Sequence, residues 1–82
     1  MDKILICLQV PAISRSFDVF VPLDMSINKL TEVLVKGVIE MSDNSYISSN
    51  EENLNLKNNI LLNPTLTLQS YVIKDGEEIF LI

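Results

Sequence analysis

The chain has 82 residues and a formal net charge of −5 at pH 7, with 11 acidic residues, 6 basic residues and no histidine. Its 48% of hydrophobic residues predicts one globular domain over residues 1–82 rather than a disordered segment. The composition argues against nucleic-acid binding, because no basic patch is present to neutralise phosphates, and against membrane insertion, because no apolar run approaches the roughly 20 residues that a span requires.

Two strands open the chain. Apolar residues alternate with other residues from Ile4 to Val10, and this period of two predicts a strand with one face toward a core. A second strand is predicted over residues 17–22, ending at Pro22, which cannot donate a hydrogen bond to a neighbouring strand. The short link between them predicts a hairpin.

An amphipathic helix follows the hairpin. Ser26 is its predicted N-cap, because a serine hydroxyl can accept a hydrogen bond from the amides just downstream. Apolar residues then recur at three- and four-residue steps, which places them on one side of a helix of about four turns. These residues are Ile27, Leu30, Leu34, Val38 and Met41.

The region after the helix predicts a polar loop and two short strands. Residues 42–50 are rich in turn-forming side chains, and Tyr46 and Ile47 are expected to return from this loop to the core. A half-buried strand is predicted around residues 54–56 and a very short one over residues 60–62. Asn58 and Asn59 lie between them and predict a turn, since asparagine tolerates a positive φ.

The final strand is predicted over residues 77–82, after a turn at Asp75 and Gly76. Its four consecutive apolar residues are typical of a strand that has neighbours on both sides. The whole order is therefore hairpin, long helix, two short strands and a last strand. This order predicts an α+β fold with one helix on one face of a sheet.

That order, at this length, resembles the ubiquitin-like (β-grasp) fold. Ser26 and Ile27 resemble the capping residue and the first core residue of the ubiquitin helix, and residues 68–73 resemble the ubiquitin segment that precedes its last strand. The resemblance implies a mixed sheet of strand order 2-1-5-3-4 packed on one long helix. It also implies that the hydroxyl group of Tyr71 bonds to nearby backbone.

Within that fold the chain resembles the YukD-like small proteins of bacterial type VII (WXG100) secretion systems. The similarity lies in residues 17–22, in the helix positions Ile27, Lys29 and Leu30, and in residues 68–77 running into an apolar end. It implies a non-conjugated adaptor or regulatory protein in the cytoplasm. Its partner would be another protein, either a membrane secretion ATPase or a secretion substrate.

No enzymatic activity, cofactor or metal is expected. With no histidine and only Cys7 as a cysteine, the usual pairs of base and nucleophile cannot be assembled. Asp75, Glu77 and Glu78 favour a solvated turn over a cation site, which would need more oxygen ligands. Ubiquitin-like modifiers and sulfur carriers act through a flexible Gly-Gly terminus. The sequence ends in Leu81 and Ile82, so a processed modifier or carrier is the weaker alternative.

The predicted sheet leaves a set of apolar residues on the face away from the helix. In β-grasp order they are expected to be contiguous, and a contiguous exposed apolar patch typically marks an interaction site. The residues are Leu5, Cys7, Phe20, Phe80 and Ile82. Phe20, Phe80 and Ile82 are the candidate anchors.

Two other interpretations of this face stay open. Lysine and glutamate side chains could cover the patch, or it could pair with a second copy in a homodimer. The alternative function is a generic β-grasp protein-interaction module of another pathway.

Overall fold

The structure is a computed structural model that describes residues 2–82. In this part of the chain it contains one α-helix, α1 (Ile27–Met41), and a mixed sheet of five strands. The strands are β1 (Lys3–Val10), β2 (Arg15–Pro22), β3 (Leu54–Leu56), β4 (Ile60–Leu61) and β5 (Glu77–Leu81). Their order is β2-β1-β5-β3-β4. This confirms the predicted α+β architecture and strand order.

The first and last strands, β1 and β5, pair in the middle of the sheet. β1 pairs with β2 in antiparallel fashion on one side and with β5 in parallel fashion on the other, with Leu8 opposite Ile79. β5 also pairs with β3, so β5 has neighbours on both sides as predicted. Gly76 enters β5 with a φ of 82° and donates its N–H to the carbonyl of Leu5 at 2.8 Å.

Helix α1 packs on one face of the sheet. The hydroxyl of Ser26 accepts a hydrogen bond from the N–H of Lys29 at 3.2 Å, which confirms the predicted N-cap. Four of the five predicted positions are buried: Ile27, Leu30, Leu34 and Val38. The prediction was wrong for Met41, which is 42% exposed. Its Cε atom instead lies over Gly37, 3.8 Å from the position that a Cβ would occupy there.

The loop after α1 contributes one aromatic side chain to the core. Tyr46 is buried, as expected, whereas Ile47 is 87% exposed, so the prediction for Ile47 was wrong. The backbone N–H of Tyr46 donates to the hydroxyl of Ser42, the residue that caps the end of α1. Tyr46 is thereby fixed in the inward position, while Ile47 points to solvent.

The second half of the chain confirms the predicted turns. Asn58 and Asn59, between β3 and β4, have φ values of 76° and 61°. The hydroxyl of Tyr71 accepts a hydrogen bond from the backbone N–H of Asn63 at 2.9 Å, as the resemblance to ubiquitin implied. Along residues 2–82, no helix combines the length and hydropathy that crossing a bilayer requires.

Candidate interaction surface

The side chains of the sheet divide between a core face and an open face. On β1 the residues Ile4, Ile6, Leu8 and Val10 are at most 8% exposed and face α1. Successive side chains of a strand point to opposite faces, so the intervening residues lie on the side away from α1. We call that side the open face. It carries all five of the apolar residues that the sequence singles out.

Three of those residues lie together at one end of the open face. Leu5 of β1 is directly opposite Phe20 of β2, and Cys7 is the next open-face residue along β1. Phe20 is 69% exposed, whereas Leu5 and Cys7 are half-buried. We call Leu5, Cys7 and Phe20 the first apolar group.

The other two residues lie at the opposite end of the face. Phe80 of β5 is half-buried between Gln9 of β1 and Asn55 of β3. Ile82, which is 57% exposed, follows β5 and exchanges two backbone hydrogen bonds with Asn53. Phe80 and Ile82 therefore form a second group of their own.

A set of three polar residues, Gln9, Glu78 and Lys57, separates the two groups, and we call it the polar bridge. Cys7 is opposite Glu78 and Gln9 is opposite Phe80, so a bond from Gln9 to Glu78 crosses the diagonal between Cys7 and Phe80. Gln9 Nε2 donates to Glu78 Oε2 at 3.2 Å, and Glu78 Oε1 lies 3.7 Å from the ammonium of Lys57. The expected contiguous patch is thus divided, because these polar side chains occupy alternate positions on the same face.

Leu61 also belongs to this surface, although the sequence pattern did not predict it. It is opposite Asn55, which is itself opposite Phe80, so all three side chains share the open face. Leu61 is 57% exposed, and we call Phe80, Ile82 and Leu61 the second apolar group. Asn55 lies between Phe80 and Leu61, and its buried Oδ1 has no hydrogen-bond partner among the described residues. Only the pairing of β3 with β4 and β5 reveals this arrangement.

An apolar notch adjoins the second apolar group. It has a volume of about 240 Å³ and is formed where the hairpin turn, the loop after α1 and the end of β5 meet. Its lining residues are Pro11, Ala12, Tyr46, Ile47, Ser49, Leu81 and Ile82. Its size and apolar lining suit one aliphatic or aromatic side chain of a partner.

The loop beside the notch is held by a charged hydrogen-bond network. Glu52 Oε2 accepts from the hydroxyl of Tyr46 at 2.8 Å and from the N–H of Ser49 at 3.1 Å. Burial, together with the adjacent Glu52 carboxylate, raises the pKa of Tyr46 to about 12. Burial alone would raise the pKa of Glu52, but hydrogen bonds from Ser48, Tyr46 and backbone N–H groups outweigh it and lower that pKa below its usual value.

A larger groove than this notch lies elsewhere on the molecule. It has a volume of about 410 Å³ and runs along the polar side of α1 beside residues 48–52, with a mixed lining that includes Glu32, Val35 and Lys36. Among residues 2–82, no three histidine, cysteine, aspartate or glutamate side chains are grouped as a metal ion would require. Asp75 accepts the N–H of Leu5 at 3.1 Å and so supports the turn that enters β5.

No protein-family model and no curated protein matches this sequence. Solved structures do match over the whole chain. The ubiquitin-like domain of EccD5 from Mycobacterium xenopi has a TM-score of 0.85 at 16% identity, covering 100% of this chain and 94% of that one. The ubiquitin-like domain of the type VII secretion protein ECCD1 from Mycobacterium tuberculosis has a TM-score of 0.79 at 12% identity, covering 100% and 99%.

A structure outside secretion gives the same fold. The ubiquitin-like domain of Plasmodium falciparum Dsk2 has a TM-score of 0.74 at 19% identity, and the match covers 98% of this chain and 96% of that one. Structural similarity at 12–19% sequence identity shows a shared fold and nothing further. The chain therefore has the ubiquitin-like β-grasp fold, and it resembles ubiquitin-like domains of type VII secretion proteins.

Proposed function

We propose that this protein is a non-conjugated ubiquitin-like adaptor that binds another protein through the open face of its sheet. The exposure of large apolar side chains on that face carries the proposal. Phe20 is 69% exposed, and Leu61 and Ile82 are each 57% exposed. Aromatic and aliphatic side chains of this kind are the anchors of protein interfaces, and clustered exposure of them is costly unless a partner covers them.

The polar bridge supports binding to a specific surface rather than loose association. Two apolar groups flank the hydrogen-bonded residues Gln9 and Glu78, so a partner must present two apolar contacts with polar groups between them. Polar side chains that are already paired lose little when a partner covers them. The notch beside Ile82 offers the second contact a concave seat.

We place the adaptor in a bacterial type VII secretion system, in the cytoplasm. The likeness to the ubiquitin-like domains of EccD5 and ECCD1 supports this pathway. The partner would be a membrane secretion ATPase, one of its membrane partners or a secretion substrate, and the protein would act by docking, without chemistry of its own. A β-grasp interaction module in another pathway is the alternative.

The test is an affinity pull-down of the tagged protein from solubilised membranes of its own organism. Wild type is compared with Phe80→Asp, which places a charge in the second apolar group. We expect wild type to retain a secretion component and Phe80→Asp to lose it while remaining folded, because Phe80 lies on the open face and not in the core. Circular dichroism checks the fold of both proteins.

Val72→Asp is the matched control. Val72 is 91% exposed and lies in the loop before β5, so the same charge there is expected to change neither folding nor retention. Retention of the same secretion component by Phe80→Asp would contradict the role of the open face. Retention of no secretion component by folded wild type would contradict the type VII pathway.

A further inference from the structure

β2 is an edge strand with a free row of backbone groups. Within residues 2–82 it pairs only with β1. Leu23 donates its N–H to the carbonyl of Asp2 at 3.0 Å, and this pair continues the ladder in which Ile4 is opposite Val21. Hydrogen-bonded pairs alternate with other pairs in an antiparallel ladder, so the odd-numbered residues of β2 bond to β1.

The even-numbered residues of β2 therefore turn their backbone groups outward. Ser16, Asp18 and Phe20 each present a free N–H and C=O, spaced two residues apart. Pro22 occupies the next outward position, where its missing N–H breaks no bond to β1. The result is a regular row of donors and acceptors along most of the strand.

This edge has few of the features that usually protect one. Natural edge strands are kept short, are interrupted by a bulge, or carry proline or charged residues, lysine above all, within their length. β2 has eight residues, an unbroken register with β1 and no lysine, its only proline is its last residue, and its charged residues are Arg15 at its start and Asp18 in its middle. An edge of this kind can pair with another extended segment.

The side chains along β2 define which segment fits. On the open face Asp18 makes no salt bridge with any described residue, and Phe20 lies beside it. On the other face Phe17 and Val19 are only half-buried. A strand laid along the edge would alternate its side chains between Asp18 on one face and the pair Phe17 and Val19 on the other.

We propose that β2 accepts an extended segment of another protein as an additional strand, with a lysine or arginine opposite Asp18 and apolar residues on either side of that cation. Backbone hydrogen bonds supply the affinity, and the alternating side chains supply the selectivity. This goes beyond docking on the open face, because the strand edge itself is the binding site. A second copy of the chain fits less well: pairing two β2 strands about Asp18 would oppose two carboxylates, on chains that each carry a net charge of −5.

The test uses the full chain and two capped peptides, Thr-Val-Lys-Val-Thr and the same peptide with glutamate in place of lysine. Binding and amide exchange are followed by NMR. We expect the lysine peptide to bind about fivefold more tightly than the glutamate peptide, as for an exposed ion pair and its like-charge counterpart. It should also slow exchange of the amides of Ser16, Asp18 and Phe20. Asp18→Lys is expected to reverse the preference.

A pair of substitutions at one position isolates the edge. Ser16→Pro removes one outward N–H without breaking a bond to β1, and is expected to weaken binding about fivefold, as for one lost hydrogen bond. Ser16→Ala keeps the N–H and should bind as wild type does. Phe80→Asp should also bind the peptide normally, which separates this proposal from docking on the open face.

Three outcomes would overturn the proposal. The first is equal binding of both peptides to wild type and to Asp18→Lys. The second is peptide-induced change confined to residues outside β2. The third is protection of the β2 amides in the free protein that increases with its concentration, which would assign the edge to a second copy.

Discussion

At the scale of single residues, the hydroxyl of Tyr71 joins two segments that the fold must bring together. It accepts the backbone N–H of Asn63 at 2.9 Å, across eight positions of sequence. Between these residues lie a turn and the buried side chain of Leu68. One phenol oxygen therefore fixes the path of a segment that has little regular structure of its own.

Tyr71→Phe is expected to lower the free energy of unfolding by about 1 kcal/mol, because it removes this hydrogen bond and keeps the ring. Urea unfolding followed by circular dichroism measures the change. Val72→Ala, at the fully solvated neighbouring position, is the control and is expected to shift stability by less than about 0.5 kcal/mol. Equal stability of Tyr71→Phe and wild type would show that water replaces the bond without loss.

Residue roles that depend on local pattern could be predicted, and those that depend on distant pairing could not. Ser26 lies in a short segment whose residue types predict its capping bond, and the resemblance of residues 68–73 to a ubiquitin segment implied the bond of Tyr71. Leu61 joins the second apolar group only because β4 is placed beside β3. The bond between Gln9 and Glu78 spans 69 positions, so no local pattern reveals that it divides the open face.

At the scale of elements, periodicity located the strands and the helix but not all of their ends. β2 begins at Arg15, two residues before the predicted start. Arg15 and Ser16 are exposed and polar, so they give no apolar alternation, although their backbone continues the register opposite Val10 and Gln9. Backbone hydrogen bonding, rather than side-chain burial, extends the strand to Arg15. The alternation of apolar residues in a sequence indicates burial, so it could not predict this extension.

Replacing each of the two glycines by alanine is expected to change the stability of the protein in opposite directions. Gly76 has a φ of +82°, so Gly76→Ala is expected to destabilise the protein by about 1 kcal/mol or more through backbone strain. Gly37 lies within α1, where a Cβ would meet only Met41 Cε at 3.8 Å. Gly37→Ala is expected to stabilise by about 0.5–1 kcal/mol, because alanine loses less backbone entropy in a helix. Thermal and urea unfolding of both variants measure the signs, and the same sign for both would contradict this account.

At the scale of the whole molecule, surface charge contributes little to stability. The described residues form two salt bridges, Lys29 with Glu32 and Lys57 with Glu78, and their side chains are 39% to 69% exposed. Exposed pairs of this kind are worth little, because water screens them. Tyr46 and Glu52, whose pKa values are shifted in the folded protein, instead make its stability depend on pH.

Tyr46→Phe is expected to lower the free energy of unfolding at pH 7 by about 1.5 kcal/mol, the value of a hydrogen bond to a charged acceptor. The folded-state pKa of Tyr46 is raised from 10.0 to about 12, so its contribution is fully present below pH 10 and is lost as the pH rises through about 12. The difference between wild type and Tyr46→Phe should therefore close over that range.

The acid range tests the other partner of the network. The pKa of Glu52 is lowered in the folded protein, so its contribution is present above the usual glutamate pKa of about 4.3 and is lost as the pH falls through the lowered value. Glu52→Gln should be less stable than wild type at pH 7, and this difference should vanish at low pH. Urea unfolding at a series of pH values measures the alkaline range for Tyr46→Phe and the acid range for Glu52→Gln. A stability difference from wild type that stays constant with pH would exclude the hydrogen-bond network as the cause.

The central pairing of β1 with β5 has a consequence for synthesis. The N–H of Leu5 bonds to the side chain of Asp75, 70 positions later, and Ile6 and Leu8 pack in the same core as Ile79 and Leu81. A growing chain leaves the ribosome with its amino end first, so β1 and β2 emerge before β5 and their apolar face stays exposed until β5 is available to pair. The sheet is complete only when β5 has left the exit tunnel. A nascent chain on a ribosome that stalls before this point therefore exposes apolar surface to which chaperones bind.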